Sequence, residues 1–170
     1  PFVSKVYKEH GVDPKDYFFA AAEYPMMIIF TGRGCPNSCF FCVYPQVFHG
    51  RKLYRTRSPQ NVVEEIKYIL TNFPEIKSIG FEDDTFTADI ERTRIICKML
   101  IEQGLNKKFN WWVNARGDID LETMQLMKEA GCSLIVVGFE RGNQAILNKM
   151  HKGIKLEWSK QYVKNAKKAG

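Results

Sequence analysis

The sequence predicts an α/β fold built on a parallel sheet, and three observations carry that prediction. From Met26 onward, short apolar runs alternate with segments whose apolar residues recur at helical spacing, the pattern of successive strand-helix units. In each of four such units the glycine-rich or polar residues follow the carboxyl end of the strand, the rim where parallel α/β folds build their sites. At 170 residues, with 45% hydrophobic and 13% aromatic content, the chain has enough apolar material for one buried core.

Pro1 to Pro25 stand outside the alternation. Val3, Val6 and Tyr7, then Tyr17-Phe18-Phe19, predict a linker helix or arm on the exterior, so residues 1–24 read as an arm from an upstream domain and 25–170 as the core. The first strand is Met26 to Phe30, a continuous apolar run of the kind buried on both faces, ending at Gly32-Arg33-Gly34. A cysteine-bearing loop follows. Ser58 then offers an N-cap and Pro59 a first helical residue, with Val62, Val63, Ile66, Ile69 and Leu70 at helical spacing up to Asn72. The second strand, Ile76 to Phe81, runs into Glu82-Asp83-Asp84, after which Thr87 caps a helix carrying Ile90, Ile95, Ile96, Met99 and Leu100. The third, Phe109 to Ala115, delivers Asn114 and Arg116, and Asp120 caps a helix with Leu121, Met124, Met127 and Ala130. The fourth is Ser133 to Gly138. It leads to Phe139-Glu140-Arg141-Gly142, a short helix to about Met150, and a Lys-rich amphipathic helix from about Lys155 to Ala169.

Five cysteines is an odd number, and three of them fall within eight residues, a poor disulfide framework that points instead to metal. In Cys35-Pro36-Asn37-Ser38-Cys39-Phe40-Phe41-Cys42 the spacing is C-x3-C-x2-C. Soft thiolates suit iron-sulfur clusters and zinc, and three without a fourth nearby leave one metal position open. Structural zinc needs a fourth ligand; His49 is the only neighbour and lacks the paired spacing of a zinc finger. The C-x2-C of Cys39 and Cys42 alone is a weaker redox-dithiol reading, since a third cysteine lies four residues upstream. Cys97 and Cys132 sit in apolar surroundings and read as small core residues. Trp111 and Trp112, adjacent on a strand, point to opposite faces.

Composition excludes some classes. No apolar stretch approaches the roughly 20 residues of a membrane span, and no signal segment opens the chain, which predicts a cytoplasmic protein. The net charge of +6 permits nucleic-acid binding, but much of it lies in Lys152, Lys155, Lys160, Lys164, Lys167 and Lys168, which read as the solvated face of a terminal helix, so nucleic acid is not expected as a partner. A zinc-stabilised nucleic-acid-binding module stands as the alternative from outside the enzymes.

The cysteine motif, with an aromatic before its third cysteine and a first strand before it, resembles the radical S-adenosylmethionine superfamily. Three further stretches resemble the branch with cobalamin-binding domains, which includes anaerobic magnesium-protoporphyrin IX monomethyl ester cyclases and cobalamin-dependent methylases: Arg57-Ser58-Pro59-Gln60-Asn61-Val62-Val63, Phe81-Glu82-Asp83-Asp84-Thr85-Phe86 and Gly138-Phe139-Glu140-Arg141-Gly142. The resemblance implies that Cys35, Cys39 and Cys42 bind a 4Fe-4S cluster whose fourth iron chelates S-adenosyl-L-methionine, and that one-electron reduction cleaves the sulfonium to start radical chemistry on a small-molecule substrate. It implies an electron donor such as flavodoxin or ferredoxin. Among Glu82, Asp83 and Asp84 it implies a partner for the cofactor's ammonium, with Arg116 at its carboxylate, Glu140 at its ribose and the Phe41 backbone at its adenine. A mutual Arg116–Glu140 salt bridge is the structural alternative, as is a core position for Phe41. No Asp-x-His-x-x-Gly cobalamin signature occurs, so cobalamin implies a domain upstream of Pro1. The family barrel has six strands, which makes the four units a partial (βα)6 barrel with an open edge after the fourth strand, and the chain is expected to self-associate through that edge or to cover it with its C-terminal helix. A methylthiotransferase acting on tRNA or protein is the alternative enzyme; the double Asp and Phe139-Glu140 speak against it.

Overall fold

The computed structural model describes residues 2–44 and 53–170; His49 lies outside them. Its elements are α1 (Val3–Glu9), β1 (Met26–Ile29), β2 (Gly32–Cys35), β3 (Leu53–Thr56), α2 (Pro59–Asn72), β4 (Ser78–Phe81), α3 (Ile90–Glu102), β5 (Asn110–Ala115), α4 (Leu121–Glu129), β6 (Cys132–Val137), α5 (Gln144–Lys149) and α6 (Leu156–Ala169). β1, β4, β5 and β6 form an all-parallel sheet in that order, as the alternation predicts. The fold is α/β, a partial barrel of four parallel units, and among the described residues no strand pairs beyond β6.

Helix starts follow local chemistry. The Ser58 hydroxyl accepts from the Asn61 N–H at 3.3 Å with Pro59 at the first position, and the Asp120 carboxylate accepts from the Thr123 N–H at 2.9 Å. The expected cap at Thr87 is corrected: Phe86–Ala88 form a 3-10 turn that buries Phe86 and Thr87, and Asp89 caps α3 by accepting from the Arg92 N–H at 2.9 Å. α2 and α3 then lay Val62, Val63, Ile66, Ile69, Ile96 and Leu100 against one face of the sheet, where Met27, Ile29, Ile79, Phe81, Trp111 and Val113 are equally buried. Each such side chain contributes about 1.5–3 kcal/mol on leaving water. Cys97 and Cys132 are buried in this core, as expected; burial raises both thiols, Cys132 to about 12.

The opposite face carries Ile28, Gly80, Trp112 and Leu134 in register. A β-carbon on Gly80 would drive into the Trp112 indole, so glycine is what lets this tryptophan lie flat on the sheet. Phe19 packs on the same ring, centroids 4.8 Å apart. The N-terminal arm therefore does not stay on the exterior as expected. α1 does, with buried Ser4 donating from its N–H and hydroxyl to Glu65, each at 2.9 Å, but the chain then reaches the sheet's other face through Phe19.

Register slips once. Trp111 pairs with Cys132 and Trp112 with Leu134, leaving Ser133 as an extra residue. The bulge turns Leu134 and Val136 to the face of Trp112, and Ile135 to the helix-packed face with Val113. Val136, at the open side, is 41% exposed. α6 packs on α4, with Tyr162 against Ile119 and Met124.

Candidate functional site

The cysteine loop begins inside a strand. Gly32–Cys35 does not end β1 as a turn; it is β2, paired antiparallel with β3, so Cys35 sits opposite Leu53 at the end of a hairpin that the sequence did not announce. What builds the hairpin is contact from far along the chain. The Thr31 N–H and hydroxyl both donate to the Asp83 carboxylate at 2.6 Å, and the Gly34 N–H donates to Asp84 at 2.7 Å. Arg92 of α3 donates to the Thr31 carbonyl at 2.8 Å and the Arg57 carbonyl at 2.9 Å, clamping the entry and exit of the hairpin. Arg57 is paired with buried Glu65. Gly34 has φ +88°, and a β-carbon there would overlap the Leu53 carbonyl, so only glycine fits.

Cys39 and Cys42 rest on another support. The Phe40 N–H donates to the Met150 carbonyl at 3.2 Å, laying the loop on the connection between α5 and α6. Lys152 in that connection is 9% exposed, which corrects its assignment to a solvated helix face. Its ammonium donates to Glu140 Oε1 at 2.8 Å and stands 5.7 Å from the Phe41 ring centre. Glu140 has φ +61° and is spanned by a bond from the Arg141 N–H to the Phe139 carbonyl at 2.7 Å, a tight turn that folds its carboxylate back over Gly138. A β-carbon on Gly138 would meet that carboxylate at 2.5 Å. Arg116 donates to the Lys152 carbonyl at 2.9 Å and to Asp118 at 3.2 Å. The expected alternative of a mutual Arg116–Glu140 salt bridge is thus replaced by two separate pairs, Arg116–Asp118 and Lys152–Glu140.

The electrostatics follow from these placements. Burial pushes the Cys39 thiol up, Lys152 and Arg116 pull it down, and Cys35 and Cys42 push it up again. The spacing of the motif keeps the three thiols on one short stretch of chain. Among the described residues, however, no three His, Cys, Asp or Glu side chains are gathered into a ready metal cage. The donor chemistry fits an iron-sulfur cluster: soft thiolates, with two cations to offset their charge and no fourth cysteine outside the core.

The acidic run after β4 divides. Asp83 is buried and engaged by Thr31, and Asp84 by Gly34. Glu82 is half-buried; burial raises its carboxyl, a hydrogen bond with Asn114 opposes this, and Asp83 and Asp84 add to the rise. Phe41 is 44% exposed rather than a core residue under the loop. A cavity of about 730 Å³ adjoins the cysteine loop, lined by Asn37, Arg116, Asp118, Thr87, Trp158 and Tyr162 among others. It takes in Arg116 of the expected cofactor residues, and Glu82, Phe41 and Glu140 stand outside its lining. Sequence reasoning missed Lys152, Arg92 and the hairpin. The one available signal for Lys152 was its place beside Gly153, in a break between helices instead of on a helical face.

The Radical SAM superfamily profile matches residues 29–170. An uncharacterized methyltransferase of Pyrococcus horikoshii is 34% identical over 147 residues, 86% of this chain and 31% of that protein. The anaerobic magnesium-protoporphyrin IX monomethyl ester cyclase of Cereibacter sphaeroides is 27% identical over 161 residues, 91% of this chain and 25% of the cyclase. The solved structure of the cobalamin-dependent S-adenosylmethionine radical enzyme OxsB with aqua-cobalamin bound superposes with a TM-score of 0.73 at 22% identity, over 84% of this chain and 22% of that one, a likeness of fold. The chain thus spans about a quarter to a third of the length of these curated relatives.

Proposed function

The chain belongs to the radical S-adenosylmethionine superfamily, whose cofactors are a 4Fe-4S cluster and S-adenosyl-L-methionine, and from that premise we propose that Cys35, Cys39 and Cys42 hold the cluster in an enzyme that cleaves S-adenosyl-L-methionine to act on a small molecule. The observation that carries this reading is the cysteine loop itself, seated at the carboxyl end of β1 with the Lys152 and Arg116 cations acting on its central thiol. When bound, the cluster supplies the electron for reductive cleavage of the sulfonium. The protein's part is to hold and orient. Asp83 and Asp84 fix the hairpin that presents Cys35. Glu82 keeps a carboxylate available to the cofactor's ammonium, a contact strengthened by its partial removal from water. Arg116 takes the cofactor's carboxylate, Glu140 a ribose hydroxyl, and the Phe41 backbone the adenine.

Methyl transfer is the favoured reaction, supported by the 34% identical methyltransferase relative. Oxidative cyclisation is the second reading, supported by the cyclase relative. The cobalamin-bound fold neighbour supports cobalamin as a further cofactor, held outside residues 1–170. An oxygen-sensitive cluster suits a reducing cytoplasm. No helix among the described residues is long and apolar enough to cross a membrane.

Anaerobic reconstitution tests the reading. It should load about four irons per chain with visible absorbance, and Cys35→Ala, Cys39→Ala or Cys42→Ala should abolish loading, while Cys97→Ala and Cys132→Ala leave it intact. One zinc per chain under iron loading, without colour, would overturn it.

A further inference from the structure

Arg33 and Arg55 stand directly opposite each other in the antiparallel pairing of β2 with β3. Like charges so placed repel and weaken a hairpin. Both side chains are exposed, and among the described residues neither forms an ion pair with a carboxylate. Their neighbour Arg57 differs, being engaged by Glu65 and Asn61. Residues 36–52, which join the two strands, contain no Asp or Glu at all. The Arg33 guanidinium lies over the Phe30 ring, 4.2 Å from its centre, and the two arginines line a shallow groove of about 350 Å³ with Phe30, Thr56 and Arg57. Arg33 lies two residues before Cys35 on β2, roughly 7 Å away along the strand.

We propose that this arginine pair is the docking surface for an acidic one-electron carrier protein that reduces the cluster, an inference that rests on the function proposed above. Reductive cleavage takes an electron from outside the chain, and the pair offers two exposed cations close to Cys35 along the hairpin. Carboxylates on the carrier would pair with the two guanidinium groups, and attraction between the two surfaces speeds their encounter. The carrier is oxidised by one electron and the cluster reduced by one; no atom is transferred.

The experiment follows reduction of the cluster-loaded protein in stopped flow by a reduced flavodoxin and, in parallel, by titanium(III) citrate, a small chemical reductant. At low salt, Arg33→Glu with Arg55→Glu should slow reduction by flavodoxin more than roughly tenfold, and high salt should erase most of the difference. The Arg33→Lys, Arg55→Lys pair keeps the charge and should stay close to the parent. Titanium(III) citrate should reduce all three alike. Equal flavodoxin rates in the parent and the reversed protein overturn the proposal, and so does equal slowing with both reductants, which would place the pair's effect on the cluster. Absence of iron from the parent would instead sink the function reading. In that event flavodoxin binding to the iron-free chain, measured by calorimetry at low salt, still decides the surface: weakening by the two reversals supports it and unchanged binding ends it.

Discussion

The cysteine loop is supported in two places by two kinds of contact. At Cys35 the support is backbone and buried: Thr31 and Gly34 donate main-chain N–H groups to Asp83 and Asp84, and Arg92 clamps two carbonyls. Beneath Cys39 and Phe41 it is more side-chain and adjustable: a main-chain bond to Met150, and the Lys152–Glu140 pair folded over a glycine. A backbone network fixes position, whereas a long ammonium and a carboxylate in a three-residue turn can trade partners without unfolding anything. The first support sets where the loop starts; the second leaves the side chains beneath it free to adjust.

Substitutions at matched positions break this contrast if it is wrong. The largest effect belongs to Gly34→Ala, whose β-carbon meets backbone at a left-handed φ. It should cost about 3 kcal/mol in urea unfolding and abolish iron loading, and a loss below about 1 kcal/mol would show that the hairpin yields. Asp83→Ala comes next, at about 2 kcal/mol, because it strands two buried donors of Thr31.

Asp83→Asn sharpens that result through pH. Burial raises the Asp83 carboxyl above its ordinary 3.8, against the opposing bonds from Thr31 and Gly32. A raised carboxyl contributes stability that is fully present below the unfolded value and lost as pH rises through the folded one. The asparagine variant should therefore gain on the parent as pH climbs from 3.8 upward, and a gap constant with pH would show Asp83 held as readily charged as in water.

On the adjustable side, Lys152→Met should leave iron content at the parental level while weakening S-adenosyl-L-methionine binding roughly tenfold, about 1.4 kcal/mol, in calorimetry. Loss of iron there would make Lys152 part of the fixed support. The smallest effect is expected of Gly138→Ala, where the added carbon displaces only the end of a flexible side chain: less than about 1 kcal/mol in unfolding, with a cofactor-binding defect in the same direction as that of Lys152→Met.

How much was legible follows the same division between local and distant causes. Ser58 and Asp120 were readable as caps because a cap is satisfied three residues away. Asp89 displaced Thr87 because tertiary burial of Phe86 and Thr87 moved the start of α3. The four parallel strands declared themselves by apolar runs, with ends one or two residues from expectation. β2 did not, since Gly-Arg-Gly-Cys has no apolar alternation and owes its strand to carboxylates about 50 positions onward. The C-x3-C-x2-C spacing pointed to the superfamily whose profile matches the chain. Lys152 was not, because five other lysines in the last twenty residues looked the same, and only the fold places this one against Glu140 and Phe41.

The extra residue in β6 works like a frame-setting insertion. Because side chains alternate with a period of two, Ser133 decides which half of the strand lines the interior and which half meets the helices. Loops in this chain can lengthen or shorten by a residue at small cost. Pairing Ser133 with Trp112 as an ordinary strand residue would instead exchange Leu134 and Val136 with Ile135 and Val137 wholesale, and carry the Glu140 turn around with them.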